Sequence, residues 1–406
     1  MQSIVFDKPY VPVPPYAGKL WPWALGLYLP TLLRRRFGVT SVRCVGTEKL
    51  VASVRAGHGV MITPNHSRDE DPFVLSALGR QAGVPFYVVA SAHLFMESKV
   101  QAFLLRRAGA FSIYREGMDK QAVATSIEIL EQASRPLVIF PEGHISRTND
   151  RIAPMLEGTA LIARQAAKKR AKDDPAKKVV IHPVAIRYAF NFDVRAAVEK
   201  VLEEIEVGLT WRPARDLPVE ARLHRIGAAL LALKELEYVG HTQEGTIADR
   251  IAKLIDVLLV PLENEWANAN HDGHPVTRVK RLRSAILPDM IKGDITDEDR
   301  DRRWRQLADA YLAQQLYHYP PDYVVDGSPV SRMLETVERF EEDLTDKVRV
   351  HGPVSATVTV GEPIEVPTGK GEIDVMDAID AQIHTMLGIA RTPDITATPT
   401  PRGANT

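Results

Sequence analysis

The sequence predicts an α/β fold whose sheet domain carries a large all-helical insertion. Three observations predict it. Short apolar runs alternate with helix-period stretches through about residue 190. Residues 191–350 then read as almost wholly helical. A strand-like alternation returns at Val354–Val360, so the helical block interrupts the sheet domain. The chain has 406 residues, enough for a large core and two structural units.

Composition narrows the function classes. Hydrophobic residues make up 45% and charged residues 25%, the mix of a soluble globular protein. The net charge of -1 argues against a dedicated nucleic-acid binder. Cys44 is the single cysteine, which excludes an intramolecular disulfide and cysteine-rich metal clusters. No run reaches the roughly eighteen apolar residues of a spanning helix. The N-terminus lacks the pattern of a secretory signal. The expectation is an intracellular protein, with binding to a membrane surface left open.

Residues 1–40 read as an N-terminal extension. Four prolines among the first sixteen residues predict an extended, irregular start. Leu20–Leu33 follows, rich in Leu and Trp, and ends on Arg34-Arg35-Arg36. Two readings fit: an interfacial anchor with arginines on anionic headgroups, or a helix packed on the protein's own core. So much Leu and Trp near a terminus favours the anchor, through about residues 17–36.

The core elements follow in order over residues 41–195. Residues 41–66 read as strand, turn, strand, with Val42–Val45 and Val60–Thr63 as the strands. Asp69–Leu78 reads as a helix with an acid at its start. Pro85–Ala90, Phe111–Tyr114, Pro136–Phe140 and Val179–Ile186 are apolar runs typical of buried strands. Val100–Ala108, Lys120–Gln132 and Gly158–Arg170 have helical period. Within the insertion, residues 196–350, helices are expected at 216–239, 247–266, 274–287, 296–318 and 329–346, after one at 194–206. Residues 351–390 return a strand and a last helix, Glu372–Leu387. Residues 391–406 are Thr-, Pro- and Ala-rich and read as disordered.

Three segments at strand ends carry chemistry. In Asn65-His66-Ser67-Arg68-Asp69-Glu70-Asp71, the x4 spacing lets a loop histidine meet a carboxylate in the first helical turn. Such a carboxylate orients an imidazole that can take a proton from an alcohol. Asp69 competes for that place, and Asn65 and Asp69 are also natural caps. The second segment, Gly109–Glu116, ends in Arg115, an anion ligand or a partner of Glu116. In the third, Phe140-Pro141-Glu142-Gly143-His144-Ile145-Ser146-Arg147, Gly143 permits close backbone approach and Arg147 offers a bidentate fork for phosphate. Glu142 suits a hydroxyl or a neighbouring arginine better than a phosphate.

Together these segments resemble the glycerolipid acyltransferases of the lysophosphatidic acid acyltransferase type. Asn65-His66-x4-Asp71 matches an NHx4D motif, and Gly109–Arg115 a strand ending in arginine. Phe140-Pro141-Glu142-Gly143 matches an FPEG motif, and His182-Pro183-Val184-Ala185 resembles a fourth, proline-containing one. Val358–Ile364 resembles the family's closing strand and turn. The resemblance implies a mixed sheet flanked by helices. It implies transfer of a fatty acyl group from acyl-CoA or acyl-carrier protein to a glycerophosphate or lysophosphatidate hydroxyl. His66 would be the general base and Asp71 its partner. Arg115, Glu142, Gly143, Arg147 and Arg68 would bind the acceptor. No metal or bound cofactor is implied, and the thioester is a co-substrate. The implied place is peripheral, on the cytoplasmic face of a membrane, with phospholipid precursors and no nucleic acid as partners.

The third segment departs from the family pattern, since His144 and Ile145 stand where threonine and often arginine are usual. Arg147 or Arg68 can take that arginine's part. His144 is either a second phosphate ligand or structural, and His182 reads as a hydrogen-bonded wall residue. The insertion is outside the minimal pattern: an acyl-tunnel wall, a membrane-facing surface or an oligomer interface. Its basic-apolar runs Arg222–Ile226 and Arg278–Arg283 read as headgroup contacts or solvated faces. The alternatives in function are acyl transfer to glycerol-3-phosphate or another alcohol, and a non-catalytic lipid-binding protein on the same fold.

Overall fold

The computed structural model describes residues 7–116, 119–174, 176–347, 349–369 and 373–391. The disorder expected for 391–406 therefore lies, apart from Arg391, outside the described residues. Among the described residues eight strands form one sheet: β1 (Val39–Val45), β2 (Gly59–Pro64), β3 (Tyr87–Ser91), β4 (Ala110–Ile113), β5 (Leu137–Val138), β6 (Val179–Phe190), β7 (Val354–Val360) and β8 (Ile364–Glu365). Their order is β1-β7-β6-β2-β5-β3-β4, with β8 beside β6. The sheet is mostly parallel, and β6 runs antiparallel to β7 and β8.

Central strands read as continuous apolar runs because helices cover both faces. In β2, Met61 packs on one face while Val60 and Ile62 pack on the other. The helices on the Val60 face are α1 (Leu20–Phe37), α2 (Thr47–Arg55) and α3 (Asp71–Ala82). Two more, α4 (His93–Met96) and α5 (Lys99–Ala108), follow β3, and α6 (Lys120–Gln132) and α7 (Gly158–Asp173) pack on the Met61 face.

The insertion comprises α8 (Val194–Gly208), α9 (Val219–Val239), α10 (Ile247–Trp266), α11 (Pro275–Lys292), α12 (Asp297–Tyr317) and α13 (Val330–Thr345). The chain then returns through β7 and β8 to α14 (Val375–Leu387), on the Met61 face. Phe190 pairs with Val354 across the antiparallel β6–β7 ladder. The insertion thus leaves and re-enters the sheet at one point, which lets it grow without disturbing strand pairing. It has two apolar centres, one among α8, α9 and α13, the other among α9, α10, α11 and α12.

Three local readings change. A helix, α2, lies between β1 and β2 where a turn was expected; it buries Leu50, and Gly46 turns the chain into it at φ +75°. β5 has two residues instead of five. The Ile139 N–H still reaches the Ile62 carbonyl at 3.0 Å, but Phe140 peels away beneath His66 and Pro141 has no N–H to donate. The basic runs of the insertion are split: His224, Arg225 and Lys280 are exposed, whereas Arg222 and Arg278 are buried. Arg222 is buried against Glu206 at 2.8 Å, and Arg278 against Glu263 at 2.8 Å.

The N-terminal residues from Asp7 are irregular yet bound along β4. The Val13 carbonyl accepts from the Ser112 N–H at 3.1 Å, and Tyr10 stacks on Tyr114. In α1 the core-packing reading holds for one face of the helix. Leu29 and Leu33 pack on the core, while Leu20, Trp23, Leu27 and Tyr28 are exposed. No described helix is long and apolar enough to cross a membrane.

Candidate active site

β2, β5, β3 and β4 are parallel neighbours, so their carboxyl ends open on one side of the sheet. Ligands bind at such strand ends in parallel sheets. β2 delivers Asn65 and His66, β4 delivers Arg115, and β5 delivers Phe140 to Gly143.

His66 is held from several directions. Its Nδ1 lies 2.9 Å from Asp71 Oδ2. Its N–H donates to Glu142 Oε1 at 2.6 Å, and its carbonyl accepts from the Ser146 N–H at 2.8 Å. Its ring stacks on Phe140 at 4.0 Å. The side chain is 14% exposed and lines a cavity. Asp71 opens α3 and is fully buried. Pro72 follows it, at a position where a helix has no use for an N–H. Asp71 Oδ2 also accepts from the Arg68 N–H at 2.9 Å, and Oδ1 accepts from the Tyr188 hydroxyl at 2.5 Å. Burial, then the Asp71 charge, holds the Tyr188 phenol well above its ordinary range, so it stays a donor.

The competing assignments resolve. Asp69 pairs with Arg147 at 2.9 Å. Asn65 does not cap α3; its amide donates to the Ile186 carbonyl at 3.0 Å and accepts from the Ile186 N–H at 2.7 Å, fastening the end of β2 to β6. Glu142 touches neither an arginine nor the cavity among the described residues. It is buried, and its two oxygens accept from the N–H groups of His66 and Ala153 at 2.6 and 2.8 Å. Burial outweighs these bonds and pushes its carboxyl up to about 8. Its place is a clamp between the His66 loop and the third segment.

Gly143 has φ +72°, and a Cβ there would fall 2.5 Å from Leu156 Cδ1. Glycine is what lets this loop close, and the Gly143 carbonyl accepts from the Arg115 guanidinium. Arg147 sits at φ +57°, a strained place for a side chain, held by ion pairs to Asp69 and Glu342. Arg68 pairs with Glu338 at 2.6 Å and Glu70 at 3.4 Å. Two of the three arginines expected to bind the acceptor therefore already face carboxylates. Arg115 differs, since its accessible surface opens into the cavity and no carboxylate lies within ion-pair distance of it among the described residues.

The cavity encloses about 3440 Å³ between the strand ends and the insertion, room for more than one small ligand. His66, Arg115 and Gly143 line its core side; Leu230, Leu312 and Tyr319 line its insertion side. His144 Nδ1 lies 3.0 Å from the Glu142 carbonyl, and its ring stacks on His318 at 4.4 Å. Burial pulls His144 down to about 4, so it is neutral near pH 7. His182 is walled into the sheet against Ser53 Oγ at 2.9 Å and the Gly361 carbonyl at 3.2 Å.

Sequence reasoning missed Tyr188, which looks like any residue of a buried strand. It also missed the acidic residues of α13. Glu335, Glu338 and Glu342 recur at i, i+3 and i+7, one face of a helix. That stripe, set against the arginine-rich loops, was the available signal.

An α/β sheet with a carboxylate-held histidine at its carboxyl edge, beside a large cavity, is an arrangement of the kind that can activate a substrate proton. The particular family follows from comparison: residues 41–187 match the family model described as Acyltransferase, so the chain carries a domain of the glycerolipid acyltransferase family. That match supports a general acyltransferase activity. No curated protein matches the chain.

Proposed function

We propose that the protein moves a fatty acyl group from an acyl-CoA or acyl-carrier-protein thioester to a glycerophosphate or lysophosphatidate hydroxyl. The carrying observation is the His66–Asp71 pair at the wall of a cavity that also holds Arg115. With Nδ1 turned to Asp71, Nε2 is the base. It takes the acceptor hydroxyl proton as that oxygen attacks the thioester carbonyl carbon. The tetrahedral intermediate collapses, the C–S bond breaks, and the imidazolium returns its proton to the leaving thiolate. The nucleophile is the substrate's, so no acyl-enzyme forms and half-buried Cys44 has no part. No metal or bound cofactor enters these steps.

A peripheral place on the cytoplasmic face of a membrane fits the exposed residues of α1. Trp21 packs edge-on against Phe103 of α5, where Val100, Phe103 and Leu104 are also exposed. Val100 and Leu104 line the cavity, so the apolar surface adjoins its opening. Arg34, Arg35 and Arg36 at the end of α1 are exposed beside it, where anionic headgroups would meet them.

The test is a matrix of both donor types against lysophosphatidate, glycerol-3-phosphate and a neutral alcohol, read by mass spectrometry of lipid products. Product with a phosphate-bearing acceptor is expected. Vesicle binding with no turnover in any combination would replace this reading with that of a lipid-binding protein.

A further inference from the structure

Arg147 presents both ends of its guanidinium to carboxylates. Nη1 lies 2.9 Å from Asp69 Oδ2, and Nη2 lies 2.8 Å from Glu342 Oε1. The three residues come from three parts of the chain: Asp69 from the loop that carries His66, Arg147 from the third segment, and Glu342 from α13 of the insertion. All three line the cavity, as do His66 and Arg115. The Ser146 N–H, one residue before Arg147, reaches the His66 carbonyl at 2.8 Å, so the triad adjoins the base.

What Glu342 meets sets it apart from the other acids of α13. Glu335 accepts from the Tyr323 hydroxyl and the Asn149 N–H, and Asp343 accepts from the Tyr319 hydroxyl. Glu338 pairs with Arg68, and neither of them lines the cavity. Among the described residues, Glu342 is the acid of α13 whose charge is set against a cavity-lining arginine. The loop does not depend on that pair alone, since α13 also holds it at Ser146, whose carbonyl accepts from Arg339 at 2.7 Å. The pair does matter to an anion. A phosphate nearing Arg147 meets two negative charges already seated there. At Arg115 it meets none within ion-pair distance among the described residues, only a guanidinium that donates to the Gly143 carbonyl.

We infer that Glu342 is a specificity-determining residue: it occupies Arg147 in place of a substrate phosphate and turns that phosphate toward Arg115. A planar guanidinium fork suits carboxylate and phosphate alike, so whichever holds it excludes the other. Repulsion of a like charge then discriminates as well as a new attraction does. Of Arg115 and Arg147, one is open to anions and one is closed. That difference orients the acceptor at His66, with its phosphate at the end of β4 and its uncharged part toward Arg147. The insertion thus has a chemical part as well as a wall. The inference rests on the acyltransferase reading for the identity of the phosphate, which is the acceptor's.

Thermal-shift titration of the full chain with glycerol-3-phosphate, and with glycerol as the uncharged control, tests it without any acyl transfer. Glu342→Gln keeps an oxygen that can accept from Arg147 and removes the charge. It should bind glycerol-3-phosphate about tenfold more tightly than the unaltered protein, with no change for glycerol. The gain should vanish in the double variant Glu342→Gln/Arg147→Gln. Arg147→Gln alone should bind as the unaltered protein does, whereas Arg115→Gln alone should bind more weakly. A purely structural ion pair predicts the opposite sign: weaker or unchanged binding when Glu342 is replaced, and either result overturns the inference. So does a gain that persists in the double variant, a loss in Arg147→Gln alone, or no loss in Arg115→Gln. If the unaltered protein binds too weakly to measure, binding that appears in Glu342→Gln supports the inference, and binding in neither overturns it. Glu342→Ala should show the same gain, which keeps the test open if the glutamine variant fails to fold. A protein that passes this test and yet transfers no acyl group in the donor–acceptor matrix keeps the charge gate and loses the proposed reaction.

Discussion

The Tyr188 hydroxyl lies 2.5 Å from Asp71 Oδ1, while the other oxygen of that carboxylate lies 2.9 Å from His66 Nδ1. β6, the neighbour of β2, thus orients the acid that orients the base at the end of β2. Tyr188→Phe keeps the ring and removes one donor to a buried charge. The expected result is a kcat about tenfold lower with acceptor KM within about twofold, and a stability loss of about 1–2 kcal/mol. Steady-state kinetics and urea unfolding measure these. An unchanged kcat would show that Asp71 needs no such support.

The insertion is tied to the site through α13. Glu338 pairs with Arg68, whose backbone N–H reaches Asp71. Glu338→Ala leaves a buried guanidinium with Glu70 as its remaining carboxylate. A cost of about 1–3 kcal/mol is expected, with faster hydrogen exchange at residues 65–71. If exchange there does not change, the ion pair does not hold the loop.

Glu335 should make stability depend on pH in a defined window. Burial pushes its carboxyl up to about 7, from an unfolded value near 4.5. A raised carboxyl is fully stabilising below about 4.5 and loses that contribution as pH rises through about 7. In Glu335→Gln the amide oxygen can still accept from the Tyr323 hydroxyl and the Asn149 N–H, which converge on one oxygen, Oε2. The variant's stability relative to the original should therefore climb from about pH 4.5 to about pH 7, by up to ~3 kcal/mol, and level off above. Comparing the two proteins cancels the opposing histidines, His93 and His144, which burial draws down to about 4. A flat difference across the window would place Glu335 in an ordinary carboxyl environment.

Trp23 and Leu27 are 65% and 59% exposed on α1, facing away from Leu29 and Leu33. Replacing both with serine removes apolar surface without touching the core. Binding to anionic vesicles should weaken by about tenfold or more, with Tm unchanged. Sedimentation with vesicles measures it, and undiminished binding would move the membrane contact elsewhere.

Much of this was legible in the sequence. Helices such as Lys120–Gln132 and Ile247–Trp266 follow directly from apolar period, because nothing tertiary competes with it. α2 was missed because it is short and begins at a glycine in place of a capping side chain. The histidine and its possible partners were readable from spacing; the choice of Asp71 over Asp69 was not. It depends on Arg147, in a different loop, taking Asp69. Arg68 and Arg147 looked like ligands because the carboxylates that meet them lie far along the chain, in α13.

The central claim is that His66 takes the acceptor's proton. The most direct measurement is the rate of labelled acyl transfer by His66→Ala, with circular dichroism confirming the fold. The predicted rate is at least about a thousandfold below that of the unaltered protein, near the upper range for loss of a general base. A folded His66→Ala protein that transfers within about threefold of the original rate would contradict the account.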